Sequence, residues 1–204
     1  MLGLSVLYSF FTGRYHIPIE EERVFMFLDM KSSTTIAENL GHVKYFEMLK
    51  DYYADFSNSI IDYEGIIYQY VEDEIIVSWK LINGIENYNC FKCFFALKQA
   101  LLNQTEKYSS RYGIVPVFKA GFHTGKVTTG EIGVIKKDII FTGDVHNTTA
   151  RIQGLCNTYN VDVLISGQLI CKMTSGADIQ IKSLGKNELR GKKEMIELFT
   201  ILSN

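Results

Sequence analysis

Apolar residues crowd positions 24–28, VFMFL, and stop at the carboxylate of Asp29. A short apolar run closed by a polar residue predicts a strand over residues 24–29. Helical spacing follows, first over 33–40 and then over 42–63, where Phe46, Leu49, Tyr53 and Phe56 recur on one face. Residues 66–71 and 75–79 read as the arms of a hairpin whose turn carries Asp73. A helix with a wide apolar face is expected over 89–108. A strand over 117–124 and a second over 127–134 are expected to fold back on each other around Gly125. Residues 142–157 lead into and form another helix, and strands are expected at 163–166, 179–184 and 196–201. Helices and strands interleave without a strict parallel βαβ repeat, so the pattern predicts an α+β fold with an antiparallel-rich sheet. No internal repeat or low-complexity tract interrupts it.

At 204 residues, with 47% hydrophobic and 22% charged residues, the chain has material for one substantial core. The formal net charge of −2 comes without a basic stripe or an aromatic–basic alternation, which argues against nucleic acid as a partner. Cys90 and Cys93 form a C-x-x-C in the apolar run NCFKCFFALKQALL, with no second ligand pair nearby. Buried reduced thiols fit that setting better than a zinc or redox site.

The first residues, MLGLSVLYSFF, form an apolar run too short for a membrane span of ~20 residues, and they lack the basic start of a secretory signal. TGRYHIPIEEER, with one of the two prolines, reads as a polar connector. Residues 1–21 are therefore set apart as an N-terminal segment and connector, and 22–204 as a single domain. Two readings of the apolar run stay open: a helix packed on the core or on a second copy, and the end of an upstream region in a longer protein.

Candidate chemistry sits in three places. Asn147 and Arg151 are four apart behind a Gly-Asp turn, so on a helix starting near Val145 they share a face and offer a neutral donor beside a permanent cation. Asp29 and Asp73 offer hard oxygen ligands of the kind that hold Mg²⁺ or Mn²⁺. Thr142 and Asp144 read as turn formers, and His123 in GFHTG as a packed polar residue rather than a base.

Five blocks, VFMFLDMKSST, IYQYVEDEIIVSW, FKAGFHTGKVTTGEIG, KDIIFTGDVHNTTARIQGLC and LRGKKEMIELFTI, occur in the order found in class III nucleotidyl cyclases, the adenylate and guanylate cyclase family. The chain resembles that catalytic domain over roughly residues 22–201. The resemblance implies a ferredoxin-like core, with a mixed, largely antiparallel sheet flanked by helices. It implies two Mg²⁺ or Mn²⁺ ions per site, held by Asp29, Asp73 and the backbone carbonyl of Met30. The turn of Lys31, Ser32, Ser33 and Thr34 would cradle the phosphates, Lys192 would contact the triphosphate, Asn147 would orient the ribose and Arg151 would stabilise charge on the α-phosphate. In this family the metal ligands and the Asn/Arg pair come from different subunits, so a homodimer is implied. The product would be a 3′,5′-cyclic nucleotide, with pyrophosphate released. A cytoplasmic location is implied, with a tether to the inner membrane face through an upstream sensor or membrane region.

Several positions depart from the family pattern. Gln69 and Ile140 occupy the two base-reading positions and match neither the adenylate nor the guanylate pair, so ATP is taken as first substrate only because it is common among bacterial relatives. GTP and the pyrimidine nucleotides (cUMP or cCMP synthesis, as in antiphage systems) stay open, as does a degenerate domain that binds nucleotide for regulation. Glu72 replaces the usual glycine before the second metal aspartate, and Ser33 an aromatic. A diguanylate-forming enzyme would need a GGDEF-type turn where this chain reads VEDE.

Overall fold

A computed structural model describes residues 16–135, 137–173, 179–189, 191 and 194–202. In chain order the elements are β1 (Ile19–Met30), α1 (Ser33–Leu40), α2 (His42–Asp62), β2 (Ile66–Val71), β3 (Glu74–Lys80), α3 (Leu81–Ile85), a 3₁₀ turn (Glu86–Tyr88), α4 (Asn89–Asn103) and α5 (Thr105–Tyr112). There follow β4 (Phe118–Ile132), β5 (Asp138–Thr142), α6 (Val145–Gly154), α7 (Cys156–Tyr159), β6 (Val163–Ser166), α8 (Gly167–Ile170), β7 (Ile181–Glu188) and β8 (Met195–Ile201). The strands form one sheet in the order β2-β3-β1-β4-β6-β8-β7, with β5 paired to the far part of β4. Among the described residues only β4 and β6 run parallel. The first four strands, with helices between β1 and β2 and between β3 and β4, make the expected ferredoxin-like core.

β1 lies between β3 and β4 and is buried on both faces, which is why its sequence is a continuous apolar run. Its even positions, Val24, Met26, Leu28 and Met30, join Tyr52, Phe56, Trp79, Phe91, Phe94 and Leu97 in the main core beneath α2 and α4. Burying each of these large side chains is worth about 1.5–3 kcal/mol. Phe25 and Phe27 face the other side and pack with Ile76, Val127 and Val145 under α6. Alternation then fixes the next residue: Asp29 emerges on the α6 side, one step beyond the end of that smaller cluster.

Several expectations need correction. Residues 117–134 do not form a hairpin around Gly125. β4 runs unbroken through it, with Gly125 opposite Arg23, and the hairpin partner is β5. The glycine is there for clearance, since a Cβ at Gly125 would lie 2.6 Å from Val145 Cγ2. Gly121, two pleats away, has the same role more severely: a Cβ would lie 2.5 Å from the backbone nitrogen of Gln153. The helix expected over 89–108 breaks at Gln104, where α4 ends and α5 starts. Phe46 is 64% exposed, and the buried face of α2 is Met48, Leu49, Tyr52, Phe56 and Ile60. β1 begins at Ile19, five residues ahead of the strand start expected at residue 24. Residues 1–15 of the N-terminal segment, and Lys192, lie outside the described residues.

Candidate active site

The site is built at the open ends of β1 and the β2–β3 hairpin. Asp29 stands opposite Glu74 on β3 and Lys119 on β4, so all three side chains leave the same face of the sheet. Asp29 Oδ2 accepts from Gln153 Nε2 at 3.0 Å and lies 3.2 Å from Lys119 Nζ. The chain then turns at Ser32, in the left-handed region with φ 57°, and α1 starts at Ser33.

Asp73 sits in the hairpin turn beside Asp29, and the Ser33 hydroxyl bonds to its carboxylate. Burial raises the Asp73 carboxyl above the usual range, Ser33 opposes that, and the neighbouring Asp29 adds to it. Asp73 Oδ2 is buried and finds no hydrogen-bond partner among the described residues. Glu74 is pushed up to about 7, first by burial and then by Asp29 and Asp73. Three carboxylates thus crowd one strand-end pocket, and one oxygen is orphaned, an arrangement that a hard divalent cation relieves. The chemistry of Asp29 and Asp73 fits such an ion, with the Met30 carbonyl next along the chain as the third expected ligand. Among the described residues no three acidic, His or Cys side chains are already gathered in ligand geometry.

Glu72 holds φ 54°, a conformation glycine adopts freely and an L side chain does not. The Tyr53 hydroxyl donates to its carbonyl and fastens the turn to α2. Glu72→Gly is expected to stabilise the metal-free domain by about 0.5–1 kcal/mol, the strain relieved less the entropy that glycine gains when unfolded. Thermal melting checks this. A lower melting temperature would mean that the Glu72 side chain makes a contact outweighing the strain.

In the turn expected to cradle phosphates, Lys31 is engaged within the chain. The Lys31 N–H is donated to the Val117 carbonyl at 2.8 Å, and its ammonium is 2.6 Å from Asp162, which also holds Lys98. Lys31 therefore braces the loop, and the remaining amides of the expected cradle, those of Ser32, Ser33 and Thr34, belong to a helix start, where an α-helix offers donors without intrahelical partners.

On α6, Val145, Thr148, Thr149, Ile152 and Gln153 are buried against the sheet. Asn147 is exposed and Arg151 half-buried on the opposite side. Gln153 lies about 200° around the helix from Arg151, so it reaches the chain's own Asp29 while Arg151 and Asn147 point away from it. A methyl group at Gly191 would sit 3.6 Å from the Arg151 guanidinium, so the turn leading to Lys192 borders that cation.

The two base-position residues are not brought together within one chain. Gln69 is exposed opposite Ile76, on the α6 face, after a bulge that leaves Tyr68 unpaired. Ile140 pairs with Gly130, and alternation turns it to the other face. Its neighbour Phe141 takes the α6 side instead, 4.7 Å from Tyr68 and 4.6 Å from the Arg23 guanidinium.

His123 is buried, its Nδ1 2.8 Å from Ser166 Oγ, as a packed polar residue. Cys90 and Cys93 are buried and unbridged, and burial pushes the Cys93 thiol up to about 12. Sequence reasoning missed Lys119, Gln153 and Tyr53 as neighbours of the pocket. Lys119 was within reach, because it alternates in phase with His123 on a strand already quoted as a motif. The others come from helix faces whose docking the sequence does not state.

The family model for the adenylate and guanylate cyclase catalytic domain matches residues 18–202. Adenylate cyclase 2 of Rhizobium meliloti (strain 1021) is 34% identical over 201 residues, covering 98% of this chain and 55% of that protein. Adenylate cyclase 1 of the same organism is 24% identical over 190 residues, covering 89% of this chain and 28% of that protein. The chain thus spans about half the length of the first relative, or less for the second. A solved bacterial light-regulated adenylyl cyclase shares the fold with a TM-score of 0.83 at 19% identity, over 97% of this chain and 58% of that one. Because the matched span holds the sheet, the paired aspartates and the helix bearing Asn147 and Arg151, the chain belongs to the family of adenylate and guanylate cyclase catalytic domains.

Proposed function

We propose that the domain converts a nucleoside triphosphate, ATP first, into its 3′,5′-cyclic monophosphate and pyrophosphate at a site shared by two copies of the chain. The observation that carries this reading is the division of α6, whose sheet face touches Asp29 through Gln153 while its outer face carries the exposed Asn147 and the half-buried Arg151. A two-fold axis would bring one chain's Asn147 and Arg151 to the other's Asp29 and Asp73, giving two equivalent sites.

In such a site Asn147 orients the ribose so that its 3′-oxygen lines up with the α-phosphorus. That oxygen forms the new bond, the bond from the α-phosphorus to the bridging oxygen breaks, pyrophosphate leaves, and the hydroxyl proton passes to water. Arg151 stabilises the charge that grows on the α-phosphate, and the amides at the start of α1 hold the leaving phosphates. Asp29, Asp73 and the Met30 carbonyl would hold two Mg²⁺ or Mn²⁺ ions, which lower the hydroxyl's pKa and neutralise the leaving group when bound. Lys192, which follows Gly191 in the sequence, is assigned to the triphosphate by the family resemblance.

ATP is favoured by the names of the relatives, and Gln69 and Ile140 leave the base to be tested. The relatives are longer than the stretch this chain matches, and a sensor or membrane region upstream of the domain would be a means of setting the two copies' orientation. Among the described residues no helix is long and apolar enough to cross a membrane.

Incubation with Mn²⁺ and each of ATP, GTP, CTP and UTP, with products identified by mass, tests the proposal. Cyclic AMP as the main product is expected. A different cyclic nucleotide would overturn the choice of base, and none from any of the four, with the chain dimeric in the assay, would overturn the activity.

A further inference from the structure

Lys31 is tied down twice. Its N–H donates to the Val117 carbonyl at 2.8 Å, one step past Met30 and Phe118, the last paired residues of β1 and β4. Its ammonium donates to Asp162 Oδ1 at 2.6 Å, 131 positions along the chain and just before β6. Asp162 is itself fixed at three atoms. The ammonium of Lys98, on α4, holds Oδ2 at 2.6 Å, and the Asp162 carbonyl accepts the N–H of Ala120 on β4 at 2.8 Å.

The peptide joining Met30 to Lys31 is a rigid plane, so with its N–H turned to β4 its carbonyl turns the opposite way. β3 lies on that side of β1, and the residue next beyond its paired Glu74 is Asp73. Fixing Lys31 therefore sets the direction of the Met30 carbonyl as well as the place where α1 starts. The two ion pairs on Asp162 join groups each exposed by a third or more, so they add little to stability. What they hold is a position.

We propose that Asp162 is a positioning residue for the triphosphate end of the site: through the Lys31 ammonium it holds the β1–α1 turn so that the Met30 carbonyl and the amides of Ser32, Ser33 and Thr34 are in place before a nucleotide arrives. This rests on the reading of that turn as the phosphate cradle.

The test compares the wild type with Asp162→Asn, Lys31→Met, the double variant and Lys98→Met. ATP binding in Mn²⁺ is measured by equilibrium dialysis, with melting, kcat and KM alongside. Asparagine keeps the shape of the side chain and removes the charge that holds the lysines. Asp162→Asn is expected to weaken ATP binding and raise KM about tenfold with kcat within about twofold, because contacts to the departing phosphates are made in the ground state and the transition state alike. Its melting temperature should fall by no more than roughly 2–4 °C. Lys31→Met should show the same loss of ATP binding, and the double variant no greater one, since the carboxylate acts through that ammonium. Lys98→Met, which leaves the tie to Lys31 in place, should bind ATP as the wild type does. Wild-type ATP affinity in Asp162→Asn or in Lys31→Met would overturn the inference and leave the nucleotide reading standing. Losses that add in the double variant, or an equal loss in Lys98→Met, would also overturn it. If the wild type itself binds no ATP with Mn²⁺, the cradle reading falls and the inference with it.

Discussion

Asp73→Ala and Arg151→Ala, each inactive alone, are expected to recover about a quarter of wild-type turnover when mixed in equal amounts, because half the dimers are mixed and one of their two sites is intact. The single losses should be large. On the proposed mechanism, removing Arg151 would take away a preorganised charge at the transition state, about 10²–10³ in rate. Removing Asp73 leaves Asp29 and a carbonyl to hold a doubly charged ion in a pocket that Asp73 helped to make anionic. Recovery follows because each variant supplies the half that the other lacks: the Arg151→Ala chain brings both aspartates, and the Asp73→Ala chain brings the guanidinium. Steady-state rates against mixing ratio measure this, and a mixture no more active than its components would refute the shared site. The two losses must also differ in kind. Asp73→Ala should weaken Mn²⁺ binding without nucleotide, whereas Arg151→Ala should not.

Gly121→Ala should be the most damaging single methyl group in the domain. Its Cβ would meet the nitrogen, Cα and Cβ of Gln153 at 2.5–2.7 Å, and two of those atoms are backbone that no rotamer change can move. α6 would have to lift from the sheet. Overpacking of this kind costs about 3 kcal/mol at the upper end of its usual range, which for a domain of this size lowers the melting temperature by roughly 6–12 °C. Activity should fall further than stability suggests, since Arg151 is two residues from the point of collision and a shift of about 1 Å in a catalytic group can cost 10²-fold. Melting and steady-state kinetics on the same preparation separate the two effects. Unchanged values for both would mean that the helix does not lie this close to β4.

Much of the core was legible because β1 states its own geometry. The run VFMFL ending in Asp29 gives the strand, its burial and the carboxylate at its tip, and the VEDE turn gives the second. Gly125 misled because glycine serves two purposes that a local sequence does not separate, a turn or clearance for something crossing overhead. What decides between them is Val145, twenty residues on. The break at Gln104 carries no glycine or proline to announce it. Lys31 looked like part of the phosphate turn, and it took Val117 and Asp162, both remote in sequence, to engage its amide and its ammonium. The same holds for Gln153: its reach to Asp29 spans 124 positions and depends on how far α6 sinks onto the sheet.

That last link has a mechanical reading. One oxygen of Asp29 is shared by the end of a strand and the final turn of the helix whose far side bears the guanidinium. In the proposed shared site, a cation that took this oxygen would compete with an amide and an ammonium, so loading one active centre would loosen the anchor of the helix whose far side serves the other. The two proposed centres would then be coupled through rigid parts, with no flexible relay between them.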